Sequence, residues 1–207
     1  MVFVKICGIT NLEDALAAVE AGADALGFNF YERSPRYISP VEARRIIGQL
    51  PDHVLSVGVF VNAGEPDLLA RTADEVGLKA LQLHGDESPQ YCRALKERFL
   101  IKALRAGAGF DPRCVLEYET DAILLDAFAE GARGGTGRVV DWSLARAVSE
   151  LVPKLILAGG LGTENVSQAI ASVNPYGVDA CSSLESAPGR KDSGSVRAFL
   201  AAARVKP

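Results

Sequence analysis

Two side chains that can carry protons stand at the ends of short apolar runs. Cys7 follows the run Val2–Ile6 and precedes a glycine turn, and Asp126 follows the run Ala122–Leu125. In parallel α/β proteins, ligands bind where the strands end, and a carboxylate there is costly to bury without a partner. We interpret Cys7 as a base and Asp126 as an acid. Packing of the thiol and helix capping by the aspartate are the alternatives.

Lys5 supports this interpretation of Cys7, because a thiol acts as a base only as its thiolate. Lys5 and Cys7 are two residues apart, so they share one face of a strand, and a nearby ammonium group favours the thiolate. Asp126 must hold a proton to act as an acid, which partial burial favours. A base and an acid on opposite sides of a small molecule suit an isomerase, because one removes a proton from carbon while the other protonates a departing oxygen.

Glycines and hydroxyls follow the last two apolar runs of the chain. Gly159 and Gly160 follow the seventh run, and Ser182 and Ser183 follow the eighth. In a (β/α)8 barrel these two loops often bind phosphate through backbone N–H groups and a short helix N-terminus. The pattern therefore predicts a phosphate site, with a simple Gly-Gly turn as the alternative.

Arg36 follows the second apolar run in a loop that Ser34 and Pro35 stiffen. A guanidinium group there suits bidentate binding of a carboxylate, and a solvated loop arginine is the alternative. His84 directly follows the fourth run and either lines the ligand site or serves a structural role. The glycine-rich segment Gly134–Gly137 resembles a lid or a phosphate-contacting loop.

The elements that must position these residues form a repeating pattern. Helical patterns separate most of the apolar runs, and the fifth helical pattern, Asp111–Tyr118, is short. At the first helix, the spacing of Thr10 and Glu13 predicts a capping box. This order predicts an α/β fold, a (β/α)8 barrel that occupies residues 1–207 as a single domain. A doubly wound open sheet is the alternative, although no GxGxxG follows the first run. The eight apolar runs are Val2–Ile6, Ala25–Phe28, Leu55–Phe60, Ala80–Leu83, Phe99–Leu104, Ala122–Leu125, Leu155–Leu157 and Val178–Cys181.

Composition limits the classes of partner. The chain has 207 residues, of which 48% are hydrophobic, and a formal net charge of -4, so nothing indicates nucleic-acid binding. No apolar run approaches the roughly 20 residues that span a bilayer, and the N-terminus lacks the segments of a signal peptide. Four cysteines without CxxC spacing and only two histidines do not favour a metal site. We expect a cytoplasmic protein with free thiols.

Taken together, and in this order along nearly the whole chain, these segments resemble the phosphoribosylanthranilate isomerase family of tryptophan biosynthesis. The resemblance implies a (β/α)8 barrel and a cofactor-free Amadori rearrangement, from N-(5-phosphoribosyl)anthranilate to 1-(2-carboxyphenylamino)-1-deoxyribulose 5-phosphate. The matching segments are Lys5–Thr10, Ser34–Tyr37, Gln82–Gly85, Leu125–Asp126, Gly134–Gly137, Ala158–Leu161, and Val178–Ser182 with Glu185 and Pro188–Asp192.

The resemblance also implies roles for single residues. Cys7 would take the proton from C2 of the sugar, and Asp126 would protonate the ring oxygen. Arg36 would hold the anthranilate carboxylate, the two loops after the seventh and eighth strands would hold the phosphate, and Asp179 would contact a substrate hydroxyl. The segment Cys181–Leu184 departs from the smaller residues common in the family, which leaves the phosphate donors open.

Three other functions fit parts of the pattern. Indole-glycerol-phosphate synthase would need a lysine and glutamate set that is not found at matching positions. The histidine-pathway isomerase resembles a two-aspartate enzyme, with an aspartate where this chain has Cys7. A non-catalytic phosphosugar-binding barrel is the third. We expect a small phosphosugar as the partner, no metal, no cofactor, no nucleic acid, no membrane, and a monomer or homodimer.

Overall fold

Eight parallel strands close into a barrel in this computed structural model, which describes residues 1–107, 109–127 and 141–205. Each strand pairs with the next, and β8 pairs with β1. The (β/α)8 barrel is confirmed and the open-sheet alternative is wrong. The strands are β1 (Phe3–Cys7), β2 (Ala25–Asn29), β3 (Leu55–Phe60), β4 (Ala80–Leu83), β5 (Phe99–Ala106), β6 (Ala122–Ala127), β7 (Leu155–Leu157) and β8 (Gly177–Ala180).

Helices follow all but one of the barrel strands. The exception is the connection after β5, whose described residues hold only a 3-10 helix over Pro112–Glu117, as the short pattern there predicted. None of the helices within the described residues combines the length and apolar character that crossing a bilayer requires. The helices are α1 (Leu12–Glu20), α2 (Pro40–Ile47), α3 (Pro66–Val76), α4 (Pro89–Arg93), α5 (Trp142–Ser149), α6 (Val166–Val173) and α7 (Ser193–Arg204).

The cap of α1 differs from the predicted capping box by one residue. The N-cap is Asn11, whose side chain accepts a hydrogen bond from the backbone N–H of Asp14. Thr10 instead donates its hydroxyl to the carbonyl of Gly189. Thr10 therefore links the start of the chain to a distant loop, a contact that local spacing does not reveal.

Strand alternation divides the buried side chains into two shells. Val4 and Ile6 of β1 pack outward in the shell beneath the helices, and a separate cluster fills the barrel interior. Several interior positions are alanines, such as Ala25 and Ala80, and their small side chains leave room for Lys5, which is fully buried. Because side chains two apart share a face, β1 directs Lys5 and Cys7 along the interior towards the carboxyl end.

A two-stranded hairpin, which the sequence pattern did not predict, follows β8. Its strands are β9 (Glu185–Ala187) and β10 (Arg190–Lys191), which pair in antiparallel orientation. Gly189 at its turn has φ 78°, a left-handed conformation that favours glycine. The hairpin brings Lys191 back to Glu185 before α7 begins.

Candidate functional site

A cleft of about 660 Å³, measured out to its open mouth, lies at the carboxyl ends of the barrel strands. Eight residues that the sequence analysis selected for catalysis or binding line this cleft. They are Cys7, Arg36, Asp126, Gly159, Gly160, Asp179, Ser182 and Ser183.

The buried Cys7 side chain sits in surroundings that favour its thiolate. A hydrogen bond with Cys181 is the largest influence and lowers the pKa of Cys7, whereas burial raises it. The ammonium groups of Lys5 and Lys191 lower the pKa of Cys7 further. The net pKa of Cys7 lies well below the usual value of a thiol, which is the condition for a cysteine base at neutral pH.

The neighbouring Gly27 of β2 makes space for this thiol. A Cβ at Gly27 would lie 2.7 Å from Sγ of Cys7 and 3.1 Å from Nζ of Lys5. Any side chain at that position would therefore displace the thiol or the ammonium group. Gly27 was not selected in the sequence analysis, because a strand glycine identifies a close approach but not its partner.

Lys5 and Asp179 form a buried ion pair beneath Cys7, with Nζ 2.9 Å from Oδ1. Burial alone would lower the pKa of Lys5, but attraction to Asp179 and Cys7 outweighs it, so the pKa is raised and Lys5 stays protonated. Burial raises the pKa of Asp179 to about 7, with attraction to Lys5 opposing the shift. The buried ammonium group of Lys5 thus faces two groups that can carry negative charge, Asp179 and Cys7.

Asp126 lies in the barrel interior near the end of β6 and is 5% exposed. His84 approaches it, with Nε2 3.3 Å from Oδ2 of Asp126, although the ring N–H direction does not meet hydrogen-bond geometry. The side-chain nitrogen Nε2 of Gln82 lies 2.9 Å from Nδ1 of His84. Of the two roles left open for His84, the structure favours the one in the site.

Gln82 was not selected as a site residue in the sequence analysis. It lies on β4, is 1% exposed, and lines the same cleft as His84. Its Oε1 is buried without a partner among the described residues. The available signal was an amide inside an apolar run, two residues before His84, where strand alternation directs both side chains to the same face.

Arg36 is held by a carboxylate, so the alternative of a solvated loop arginine is wrong. Its Nε donates to Oε1 of Glu185 at 2.9 Å, and its Nη2 donates to Oε2 at 2.7 Å. The Arg36 side chain is only 15% exposed. The preceding loop is also ordered by Ser34, whose hydroxyl accepts the backbone N–H of Arg36 at 3.1 Å.

The two loops predicted to bind phosphate meet at the other side of the cleft. Gly159 and Gly160 have φ of 82° and 64°, conformations that glycine adopts without strain. Residues Ser182–Leu184 form a 3-10 helix, whose first N–H groups have no partner within the helix. The hydroxyl of Ser183 donates to the carbonyl of Leu161, so this side chain joins the two loops.

Asn165 holds the glycine loop from the other side. Its side-chain nitrogen donates to the carbonyl of Gly160 at 2.9 Å, and its side-chain oxygen accepts the N–H of Gly162 at 2.9 Å. The glycine turn is therefore fixed in shape before a ligand binds. The segment Gly134–Gly137, interpreted as a lid or phosphate loop, lies outside the described residues.

Comparison with known proteins gives one consistent result. The family model described as N-(5'-phosphoribosyl)anthranilate (PRA) isomerase matches residues 4–202. A relative from Citrifermentans bemidjiense, named N-(5'-phosphoribosyl)anthranilate isomerase, is 52% identical over 204 residues, which cover 99% of this chain and 98% of the relative.

Solved structures give the same answer. Phosphoribosyl anthranilate isomerase from Thermotoga maritima is 47% identical, with a TM-score of 0.92 and 99% of each chain covered. A second structure, also 47% identical, has a TM-score of 0.89 over 99% of each chain. That protein was crystallised in complex with reduced 1-(o-carboxyphenylamino)-1-deoxyribulose 5-phosphate.

Proposed function

Because the chain belongs to the N-(5'-phosphoribosyl)anthranilate isomerase family, we propose that Cys7 and Asp126 carry out its reaction as general base and general acid. The protein is an isomerase of tryptophan biosynthesis and converts N-(5-phosphoribosyl)anthranilate to 1-(2-carboxyphenylamino)-1-deoxyribulose 5-phosphate. Family membership decides against the indole-glycerol-phosphate synthase and the non-catalytic barrel.

The observation that carries this proposal is the placement of two proton-active side chains on one cleft. Cys7 comes from β1 and Asp126 from β6, which β7 and β8 separate in the closed barrel. Asp126 gives its proton to the ring oxygen, the C1–O bond breaks, and an iminium remains at C1. Cys7 then removes the proton from C2, whose electrons form an enolamine that tautomerises to the aminoketose.

A fluorescence assay that follows the loss of phosphoribosylanthranilate tests the activity directly. The purified chain should consume this substrate, and variants at Cys7 and Asp126 should consume it far more slowly. Turnover by both variants at the rate of the unaltered protein would remove these two residues from their assigned roles.

Cys181 supports the base in this scheme, because its hydrogen bond is the largest influence that lowers the pKa of Cys7. Replacing Cys181 by alanine removes the donor, raises the pKa of Cys7, and leaves less thiolate at a given pH. We therefore expect the acid limb of the kcat/KM profile to move to higher pH. Cys181→Ser keeps a donor at the same position and should keep the original limb. Identical acid limbs in all three proteins would contradict this role of Cys181.

Two anion-binding regions support the substrate assignment. Arg36 presents a guanidinium group to the cleft, and the loops after β7 and β8 bring backbone N–H groups to another part of it. We propose that Arg36 binds the anthranilate carboxylate and that these loops bind the phosphate through Gly159, Gly160, Ser182 and Ser183. Binding both ends positions the sugar between acid and base. Asp179 remains available to contact a sugar hydroxyl through the face that lines the cleft.

Arg36→Ala is expected to raise KM by at least ~10-fold, because a hydrogen bond to a charged group contributes about 1.5–3 kcal/mol. Arg36→Lys keeps the charge but not the planar fork, so its effect should be smaller. Steady-state kinetics measure both variants, and Arg44→Ala on the exposed surface of α2 is the control. Equally small effects of alanine and lysine would contradict carboxylate binding by Arg36.

The remaining properties follow from the same assignment. We propose that residues 1–207 act as a single barrel domain in the cytoplasm, as a monomer or homodimer, and that the small phosphosugar is the only partner the reaction needs. Neither nucleic acid nor a membrane surface has a role in this scheme. Light scattering on the purified chain would distinguish the monomer from the homodimer.

A further inference from the structure

Glu185 lies between two cations at the edge of the cleft. Its side chain is 4% exposed, and its carboxylate accepts hydrogen bonds from Nε and Nη2 of Arg36. Nζ of Lys191 lies 2.9 Å from Oε1 of the same carboxylate, and this lysine side chain is only 1% exposed. Desolvation of such a carboxylate is costly, so its two close partners are needed to keep it ionised.

The β9–β10 hairpin connects this cluster to the loop after β8. Lys191 donates to the carbonyl of Cys181 at 3.1 Å as well as to Glu185. Cys181 immediately precedes the 3-10 helix Ser182–Leu184. The N–H of Gly189, in the hairpin turn, also donates to Oε1 of Glu185 at 3.3 Å. One buried carboxylate is thus fixed by the hairpin and in turn fixes Arg36.

The way in which Glu185 contacts Arg36 leaves part of the guanidinium group available. A guanidinium has five N–H donors in a planar fork, and Glu185 takes the edge formed by Nε and Nη2. The remaining donors, on Nη1 and Nη2, can still bind a second carboxylate. The stem of Arg36 is also confined, since a Cβ at Gly8 would lie 2.8 Å from its Cδ.

We propose that Glu185 is a positioning residue that fixes the plane of Arg36, so that its free edge receives the carboxylate of the substrate. The inference rests on the proposed function, because it takes from there the role of Arg36. Glu185 does not touch the substrate in this scheme and acts only through Arg36.

The charges of this cluster distinguish two effects that Glu185 could have on carboxylate binding, namely orientation of Arg36 and electrostatic repulsion of the carboxylate. Arg36, Lys191 and Glu185 together leave one net positive charge, and Glu185→Gln would leave two. Stronger positive charge alone would improve binding of a carboxylate, so KM would fall. Loss of orientation would weaken binding, so KM would rise. The two explanations therefore predict opposite signs for the same variant.

Glu185→Gln and Glu185→Asp test this proposal by steady-state kinetics. Aspartate keeps the charge but is one methylene shorter, so it cannot reach both Nε and Nη2 with the same geometry. We expect KM to rise at least ~10-fold in both variants, and kcat to stay within about threefold, because the acid and base are unchanged. Glu185→Gln leaves two buried cations without a carboxylate and could unfold for that reason. Glu185→Asp keeps the negative charge, so it tests the proposal even in that event.

Binding of two probes makes the test specific. The dissociation constant of reduced 1-(o-carboxyphenylamino)-1-deoxyribulose 5-phosphate should rise with KM, whereas that of inorganic phosphate should stay unchanged, because phosphate does not use Arg36. Asp74→Asn, which removes the ion pair with Nη2 of Arg98 on the outer surface, is the control and should change neither.

Each outcome separates this proposal from the one on which it rests. If Arg36→Ala raises KM but Glu185→Asp does not, the positioning role is overturned and carboxylate binding by Arg36 stands. A lower KM in Glu185→Gln would likewise overturn positioning in favour of charge. If Arg36→Ala leaves KM unchanged, carboxylate binding by Arg36 is overturned first, and the role of Glu185 is overturned with it.

Discussion

Replacement of Cys7 by serine is expected to lower kcat by at least ~100-fold, the low end for loss of a general base. Serine occupies nearly the same volume, so the barrel interior should keep its packing. Its hydroxyl, however, does not ionise near neutral pH, and the cations that lower the pKa of Cys7 cannot make it an effective base. The fluorescence assay of substrate loss, run with saturating substrate, measures the effect.

The matched control for this prediction is Cys114→Ser. Cys114 is a free cysteine in the 3-10 helix after β5, away from the cleft, and burial raises the pKa of its thiol. This variant should retain the kcat of the unaltered protein. Cys7→Ser should also retain its affinity for inorganic phosphate, which shows that the site is folded. A Cys7→Ser protein that turns over at the original rate would show that the thiol only packs in the barrel.

The barrel could be predicted from the sequence because its strands and helices can be recognised from the hydrophobic pattern within each segment. Apolar runs buried on both faces indicate parallel strands, and the predicted runs β3, β4 and β7 match the structure at both ends. The two-residue alternation also placed Lys5 beside Cys7 on the inward face. Strands β2, β5 and β6 extend past their predicted ends into polar residues, such as Arg105 of β5, that the hydrophobic pattern does not include. The ends of β1 and β8 each differ from the prediction by one residue.

Contacts between distant segments account for what the sequence analysis missed. Cys181 meets Cys7 only because β8 closes against β1, and the two cysteines are far apart in the chain. Glu185 reaches Arg36 across a separation of 149 residues. Neither pair has a spacing signal, since the partners come from different βα units. Resemblance to the family singled out Glu185 as part of a motif but did not say what it contacts.

The charged residues of the cleft form separate groups with different tasks. Lys5 lies in the interior and supports the thiolate, whereas Arg36 lies at the rim, where it can meet a ligand carboxylate. Lys191 belongs to both groups, because it lowers the pKa of Cys7 and also pairs with Glu185. Lys191 therefore links the proposed base to the proposed carboxylate-binding region.

Replacement of Asp126 by asparagine is expected to lower kcat by at least ~100-fold, because an amide cannot give a proton to the ring oxygen. Asparagine has nearly the same shape, so the contact with His84 and the packing near the end of β6 should persist. The same fluorescence assay measures kcat, with Asp67→Asn on the exposed surface of α3 as the control.

Binding of the reduced product analogue then tests whether Asp126→Asn is defective in ring opening alone. The reduced product analogue is already open, so its binding does not require the acid, and its dissociation constant should stay within about threefold of the original. If turnover is lost while the affinity for the analogue is retained, Asp126 acts in the protonation step. If turnover and analogue binding are lost together, Asp126 holds the ligand or the fold instead, and another group must protonate the ring oxygen.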